Sequence, residues 1–337
     1  MATRIAINGF GRIGRTVTRV ALDRPDIDIV AVNDLTDPEL LANLLRYDSV
    51  HGRLAEPVAV RDGSLVIGGR TVPVLSEKNP ADLPWADLGV DVVVESTGAF
   101  TDGKAAAAHL EAGAGRVLIS APATNTDFTV VYGINDGALD ASHRIVSNAS
   151  CTTNCAAPLA QVLHQEFGVR RGLMNTSHAY TSDQRLHDSP HRDFRRARAA
   201  AGNIIPTTTG AARAIGVVLP ELAGLMDGLS MRVPVVDGSI VDLTVELHRS
   251  VTVDEVNAAF AQAAQGSLKD VLVYSEDPLV STDIIGTAAS CTFDAPLTMV
   301  VDDGTAGSLV KVVGWYDNEA GFSHRTVDVV RLLGALD

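Results

Sequence analysis

Two stretches of this sequence combine residue types and spacings that imply chemistry. Gly9-Phe10-Gly11-Arg12-Ile13-Gly14 is a Gly-x-Gly-x-x-Gly run set between an apolar strand pattern, Arg4 to Ile7, and a helical pattern, Arg12 to Leu22. Glycines in such a turn let the backbone bend tightly and approach a pyrophosphate held at the helix N-terminus. Asp34 ends the next strand pattern, about 20 residues on, where a carboxylate accepts both ribose hydroxyls and repels a 2′-phosphate, so NAD is expected over NADP. Asp34 also opens Asp34-Leu35-Thr36-Asp37-Pro38, and a turn or cap role is compatible with the first. The second stretch, Ser147-Asn148-Ala149-Ser150-Cys151-Thr152-Thr153-Asn154-Cys155, follows a strand pattern and runs into a helical one, Ala156 to Phe167. Cys151 then lies at or near a helix N-terminus, where the dipole and free N–H groups favour a thiolate. Cys155, one turn further on, and Cys291 read as core. A nucleophilic thiol needs a base, and nine histidines compete for that role, which leaves the choice open.

These residues must be positioned by the elements around them. Up to about residue 150 short apolar runs alternate with helical stretches: 4–7, 12–22, 28–32, 38–45, 90–95, 104–112, 116–120 and 144–146. That rhythm implies βαβ units and a doubly wound parallel sheet of Rossmann type, an α/β fold. Beyond it, longer alternating runs such as 239–248 and 309–316 imply a mixed or antiparallel sheet within an α+β catalytic domain. Apolar residues at Val327, Val330, Leu333 and Leu336 recur with helical spacing, so the tail should pack back onto the body. The expected organisation is a cofactor-binding domain over 1–150, completed by a helix over 319–337, and a catalytic domain over 151–318. No repeat, low-complexity tract or Pro/Gly/Ser-rich linker separates them, so a close junction with the site between them is expected.

Composition narrows the classes. A chain of 337 residues exceeds a usual single domain. No apolar stretch approaches the roughly 18 residues of a membrane span, and the N-terminus lacks a signal-peptide pattern, so no membrane partner and a cytoplasmic location are expected. A formal charge of −14 repels phosphate backbones, which speaks against nucleic acid as a partner. Three cysteines without a secretory signal argue against a disulfide framework, and no metal is expected.

The motifs Asn8-Gly9-Phe10-Gly11-Arg12-Ile13-Gly14-Arg15, Ser150-Cys151-Thr152-Thr153-Asn154-Cys155, His178-Ala179-Tyr180-Thr181 and Trp315-Tyr316-Asp317-Asn318-Glu319 resemble the phosphorylating, NAD-dependent glyceraldehyde-3-phosphate dehydrogenase family of bacterial type, from end to end. The resemblance implies that Cys151 attacks the aldehyde, that His178 is the general base, and that a thioester is then cleaved by inorganic phosphate. It implies that Thr181 and Arg232 hold the substrate phosphate, while Ser150, Thr152, Thr209 and Gly210 serve the attacking phosphate. For the cofactor it implies Gly9, Gly11, the pyrophosphate contacts Arg12 and Ile13, Asp34, Lys78, Thr97 and Ser120, with Asn318 orienting the carboxamide. Leu35 and Pro190 match the NAD-preferring pattern. The basic stretch 191–198, otherwise a solvated face, would belong to a loop between subunits of a homotetramer. The implied activity is that of glycolysis and gluconeogenesis; erythrose-4-phosphate dehydrogenase and a non-enzymatic binding protein on the same fold are the alternatives.

Several positions depart from the family pattern. Ala320 stands where tryptophan is expected, Phe322 for tyrosine, His324 for asparagine, Ser177 for an apolar residue, Ser189 for leucine, and Val236-Asp237 for a Pro-Thr pair. Drift accounts for them, or else they mark an isoform that tolerates an electrophilic inhibitor aimed at Cys151, a form of antibiotic resistance.

Overall fold

The computed structural model describes residues 2–302, 304 and 307–336. Met1 and Asp337, the ends of the expected domains, lie outside the described residues. The chain divides into two compact units, one of residues 1–130, 138–149 and 323–337, the other of 131–137 and 150–322.

The first unit is built on a seven-stranded sheet in the order Phe128–Thr129, Ile145–Ser147, Arg116–Ile119, Val92–Glu95, Thr3–Asn8, Ile27–Asn33, Val74–Leu75. Its pairings are parallel. Its central strands are nearly continuous apolar runs, with Ile5, Ile7, Val92, Val93 and Val94 fully buried, as expected for strands covered on both faces. Helix Arg12–Leu22 makes the first crossover and buries Val17, Val20 and Ala21. The expected helix over 104–112 is two single turns, Gly103–Ala106 and Ala108–Glu111. A three-stranded meander, 58–72, gives no long period in the sequence because its runs are short and its turns polar. The last helix, Ala320–Gly334, packs its C-terminal end on the first strand, where a Cβ on Gly334 would meet the Thr3 side chain at 2.3 Å.

The second unit carries an eight-stranded mixed sheet in the order Ile205–Thr208, Met226–Val233, Val169–Ala179, Ser239–Leu247, Leu309–Tyr316, Cys291–Asp294, Leu272–Ser275, with Met299–Val301 beside Leu309–Tyr316. Ser239–Leu247 alternates buried and half-buried residues along its whole length, so each face of the pleat has a distinct character. Helix Cys151–Phe167 covers one face, packing Cys155, Ala156, Leu159, Ala160 and Leu163 at full burial. The opposite face leaves Leu173, Leu229 and Leu309 exposed along a groove of about 1200 Å³.

Candidate functional site

Cys151 is the first residue of helix Cys151–Phe167, five residues earlier than the apolar pattern alone begins. Ser150 caps the helix, its hydroxyl accepting from the Thr153 N–H at 3.0 Å, the service an N-cap serine performs for an otherwise unpaired donor. Ala149 enters the turn with φ 53, a left-handed conformation that costs a non-glycine residue of order 1 kcal/mol and persists because the surroundings enforce it. The turn thereby sets the Cys151 side chain beside the end of strand Val169–Ala179.

At that end His178 Nε2 lies 3.4 Å from Cys151 Sγ. His178 Nδ1 lies 2.7 Å from the Ala179 carbonyl, so Nδ1 carries the proton and donates, and the Nε2 lone pair faces the thiol. Arg232 Nη1 stands 3.0 Å from Nδ1, but two donors cannot bond each other; it donates instead to Ala179 O at 3.1 Å and reaches Thr181 Oγ1 at 3.5 Å. The parallel pairing of His178 with Arg232 across adjacent strands fixes this arrangement. Burial, helped by the Arg232 charge, lowers His178 to about 3, so the imidazole rests neutral. Burial also pushes the Cys151 thiol above its ordinary range, while Arg232 and the Thr152 hydroxyl and N–H pull it down. Burial thus opposes the thiolate that the helix start favours, while Arg232 and Thr152 act on the thiolate's side.

Tyr316, which the sequence alone did not single out, ties the two elements together. Its buried hydroxyl bonds Thr152 Oγ1 and Thr176 Oγ1, each at 2.9 Å, and its ring meets His178 edge-on. Its place in the Trp315–Glu319 motif was the available signal. Ser239 was missed as well: its hydroxyl donates to Asn318 Oδ1 at 2.6 Å and accepts from the Ala179 N–H at 3.0 Å. Thr209 and Gly210 lie at the start of helix Ala211–Val218, which packs against Cys151–Phe167. Within the basic stretch, Arg196 pairs with Asp183 at 2.5 Å and Arg198 with Asp188 at 2.8 Å, so part of its charge is already neutralised.

In the first unit Gly9, Gly11, Asp34, Lys78 and Thr97 line one cavity of about 410 Å³, along with Leu35. A Cβ on Gly9, at φ 92, would stand 2.6 Å from the Thr97 nitrogen, and one on Gly14, in the first helical turn, would stand 2.2 Å from the Gly9 carbonyl; both positions require glycine. No side chain caps helix Arg12–Leu22 and no acid occupies its first turn, whereas Asp37 caps the next helix. An uncapped start of this kind suits a pyrophosphate, and the cradle therefore fits the dinucleotide. Asp34 accepts from Phe10 N at 2.7 Å and from Thr36 N at 2.9 Å, performing the turn role while keeping lone pairs for a ribose. Arg12 and Ser120 do not line this cavity: the Arg12 guanidinium forms a bidentate pair with Asp48 at 2.9 and 3.1 Å, and Ser120 Oγ donates to Glu95 O. Ile13 follows Arg12 in the first helical turn.

Comparison with known proteins accords with this architecture. A family model described as the glyceraldehyde 3-phosphate dehydrogenase NAD binding domain matches residues 3–103, and one described as its C-terminal domain matches 150–318. The chain belongs to the glyceraldehyde-3-phosphate dehydrogenase family. Proteins named glyceraldehyde-3-phosphate dehydrogenase from Geobacillus stearothermophilus and Kitasatospora aureofaciens are 57% and 59% identical, each over 99% of both chains. Glyceraldehyde-3-phosphate dehydrogenase 1 of Bacillus subtilis is 56% identical over 98% of this chain and 97% of its own. Within this family frame the α/β class, with its parallel Rossmann-type sheet and second mixed sheet, is as the sequence implied.

Proposed function

We propose that the chain oxidises D-glyceraldehyde 3-phosphate with NAD and inorganic phosphate to 1,3-bisphosphoglycerate through a thioester on Cys151. The observation that carries this reading is the 3.4 Å approach of Cys151 Sγ to a His178 nitrogen whose lone pair is turned toward it. Sγ adds to the aldehyde carbon as its proton passes to Nε2 and from there to the former carbonyl oxygen, giving a thiohemiacetal and leaving His178 neutral again. His178 then takes the hydroxyl proton as hydride leaves the carbon; bound NAD supplies the hydride acceptor. Phosphate attacks the thioester carbonyl, the Cys151 sulfur departs with the electron pair, and the acyl phosphate is released. Arg232 and Thr181 suit the substrate phosphate as charge-assisted and hydroxyl donors, and Ser150, Thr152, Thr209 and Gly210 suit the attacking one. Gly9, Gly11, Arg12, Ile13, Asp34, Lys78, Thr97, Ser120 and Asn318 are assigned to the cofactor, within domains taken as 1–150 with 319–337, and 151–318.

NADH formation from glyceraldehyde 3-phosphate, with and without inorganic phosphate and beside Cys151→Ser, tests the mechanism. Phosphate-dependent turnover that vanishes in the variant is expected; turnover indifferent to phosphate would overturn the second half-reaction. We further infer a homotetramer working in the cytoplasm, supported by the exposed apolar groove on the second sheet and by the family; no helix among the described residues is long and apolar enough to cross a membrane. The inhibitor-tolerant isoform is kept as a proposal resting on Ala320, which is buried at the start of the last helix. Ala320→Trp should become more sensitive to a thiol-directed epoxide, and equal inactivation rates would end the idea. Nothing in the structure explains Ser177 or Ser189.

A further inference from the structure

Glu95 ends the central strand of the first unit's sheet and is 2% exposed. Taking a carboxylate out of water is costly unless donors surround it, and here they do. Oε2 accepts from Asn8 Nδ2 at 2.5 Å and from His109 Nε2 at 3.1 Å; Oε1 accepts from the Thr97 N–H at 2.8 Å and from the Thr97 hydroxyl.

The directions of the two bonds to Oε2 are set from outside the cluster. The Trp85 indole can only donate, and it donates to His109 Nδ1 at 3.0 Å, so the ring's proton sits on Nε2 and points at Glu95. The Glu77 backbone fixes the Asn33 amide, its N–H donating to Asn33 Oδ1 at 2.8 Å and its carbonyl accepting from Asn33 Nδ2 at 2.9 Å. Asn33 Nδ2 then donates to Asn8 Oδ1 at 2.7 Å, which leaves the Asn8 amide nitrogen to face Glu95. Only a group that accepts on both sides closes this network. A glutamine would present its NH2 either to Asn8 and His109 or to the Thr97 N–H, donor against donor.

The segments so joined, ending at Asn8, Asn33, Glu77 and Thr97, are the walls of the cavity that holds Asp34 and Lys78. We propose that Glu95 is a positioning residue for the cofactor: its carboxylate, bonded to Asn8 and Thr97 and through Asn8 to Asn33 and Glu77, holds the four wall segments in the spacing that receives the adenosine half of the dinucleotide. The inference rests on the cofactor assignment made above.

The test is calorimetric binding of ADP-ribose and NAD to nucleotide-free parent and Glu95→Gln, with steady-state kinetics alongside. Loss of a charge-assisted hydrogen bond at the wall predicts an increase of about tenfold in Kd for ADP-ribose and in KM for NAD. The KM for glyceraldehyde 3-phosphate and kcat at saturating NAD should stay near the parent's. If Glu95→Gln does not fold, Asn33→Ala cuts the link to Glu77 while leaving the His109 and Thr97 bonds intact, and should show the same selective loss. Variants that are less heat-stable but bind ADP-ribose as the parent does would overturn the inference alone. A parent that does not bind ADP-ribose would overturn the cofactor assignment and the inference with it.

Discussion

Cys151 Sγ faces the lone pair of a neutral imidazole, so the thiol proton has a defined acceptor. His178→Ala should therefore lower kcat by about 100- to 10,000-fold, the usual loss for a positioned base, with little change in Kd for NAD; calorimetry and steady-state rates separate the two. Arg232 acts on both members of the pair through charge, pulling the thiol down and the imidazole down. Replacing it by methionine removes a cation, so the thiol's ionisation must move to higher pH. The rate of Cys151 alkylation by neutral iodoacetamide, followed against pH, should shift toward alkali in Arg232→Met; an unmoved profile would mean that Arg232 does not govern the thiol. Residue types and spacing pick out Gly9, Gly11 and Asp34, which line one cavity, because local turn chemistry sets where they stand. They did not choose among nine histidines, because the approach of His178 to Cys151 depends on where strand Val169–Ala179 ends relative to a helix that begins at Cys151.

Elements here are joined by a few buried polar groups whose removal should be felt away from where they sit. Tyr316→Phe deletes the hydroxyl shared by Thr152 and Thr176, leaving two buried hydroxyls to find other partners at a cost of about 1 to 3 kcal/mol. The urea midpoint should fall, and kcat with it, since Thr152 adjoins Cys151; an unchanged midpoint would show that the bridge contributes nothing. Asp237, where the family pattern has threonine, is pushed up to about 8 by burial, by the charges of Asp317 and Glu319, and by its hydrogen bond to Asp317. Asp317 is itself held by the N–H groups of Gly286, Glu319 and Ala320. Between about pH 4, near the ordinary carboxyl value, and about pH 8 the folded chain keeps a proton that the unfolded chain has released. Stability must then fall as pH rises across that window, by at most about 1.4 kcal/mol per pH unit, and level off above it. Asp237→Asn should flatten this slope, and melting temperatures measured across the window decide it: parallel curves for parent and variant would rule the protonated carboxyl out. The sequence marked Asp237 as a departure and Tyr316 as part of a motif, but the role of neither group was legible there. Both owe their position to strand pairings across long separations, such as Ser239 with Tyr316, whereas the parallel and mixed sheets themselves were legible from the change of period near residue 150.

At the scale of the whole molecule, the apolar residues left on the open face of the second sheet set the terms. Leu173 is 69% exposed, Leu309 46% and Leu229 43%, and all three line one groove of about 1200 Å³. An exposed apolar patch of connected residues on a protein surface marks an interaction site more often than a scattered leucine does, and a second copy of the chain is the occupant the proposed homotetramer requires. The patch is framed by charges of both signs: Arg171 and Glu246 pair with each other at 2.6 Å, and Arg213 and Asp227 also line the groove, so a two-fold-related copy can set Arg213 against Asp227 around an apolar centre. Net charge works the other way. Each chain carries −14, and bringing several together accumulates repulsion that salt screens over about 10 Å at 0.1 M. Association should therefore tighten as salt is added, the opposite of what an assembly held mainly by ion pairs would do. Sedimentation velocity on the parent at low and moderate salt, beside Leu173→Glu/Leu229→Glu, tests both statements at once. A tetramer in the parent that strengthens with salt, and smaller species in the double variant at every salt concentration, are expected. A variant that sediments as the parent does would place the subunit contact on another face of the molecule.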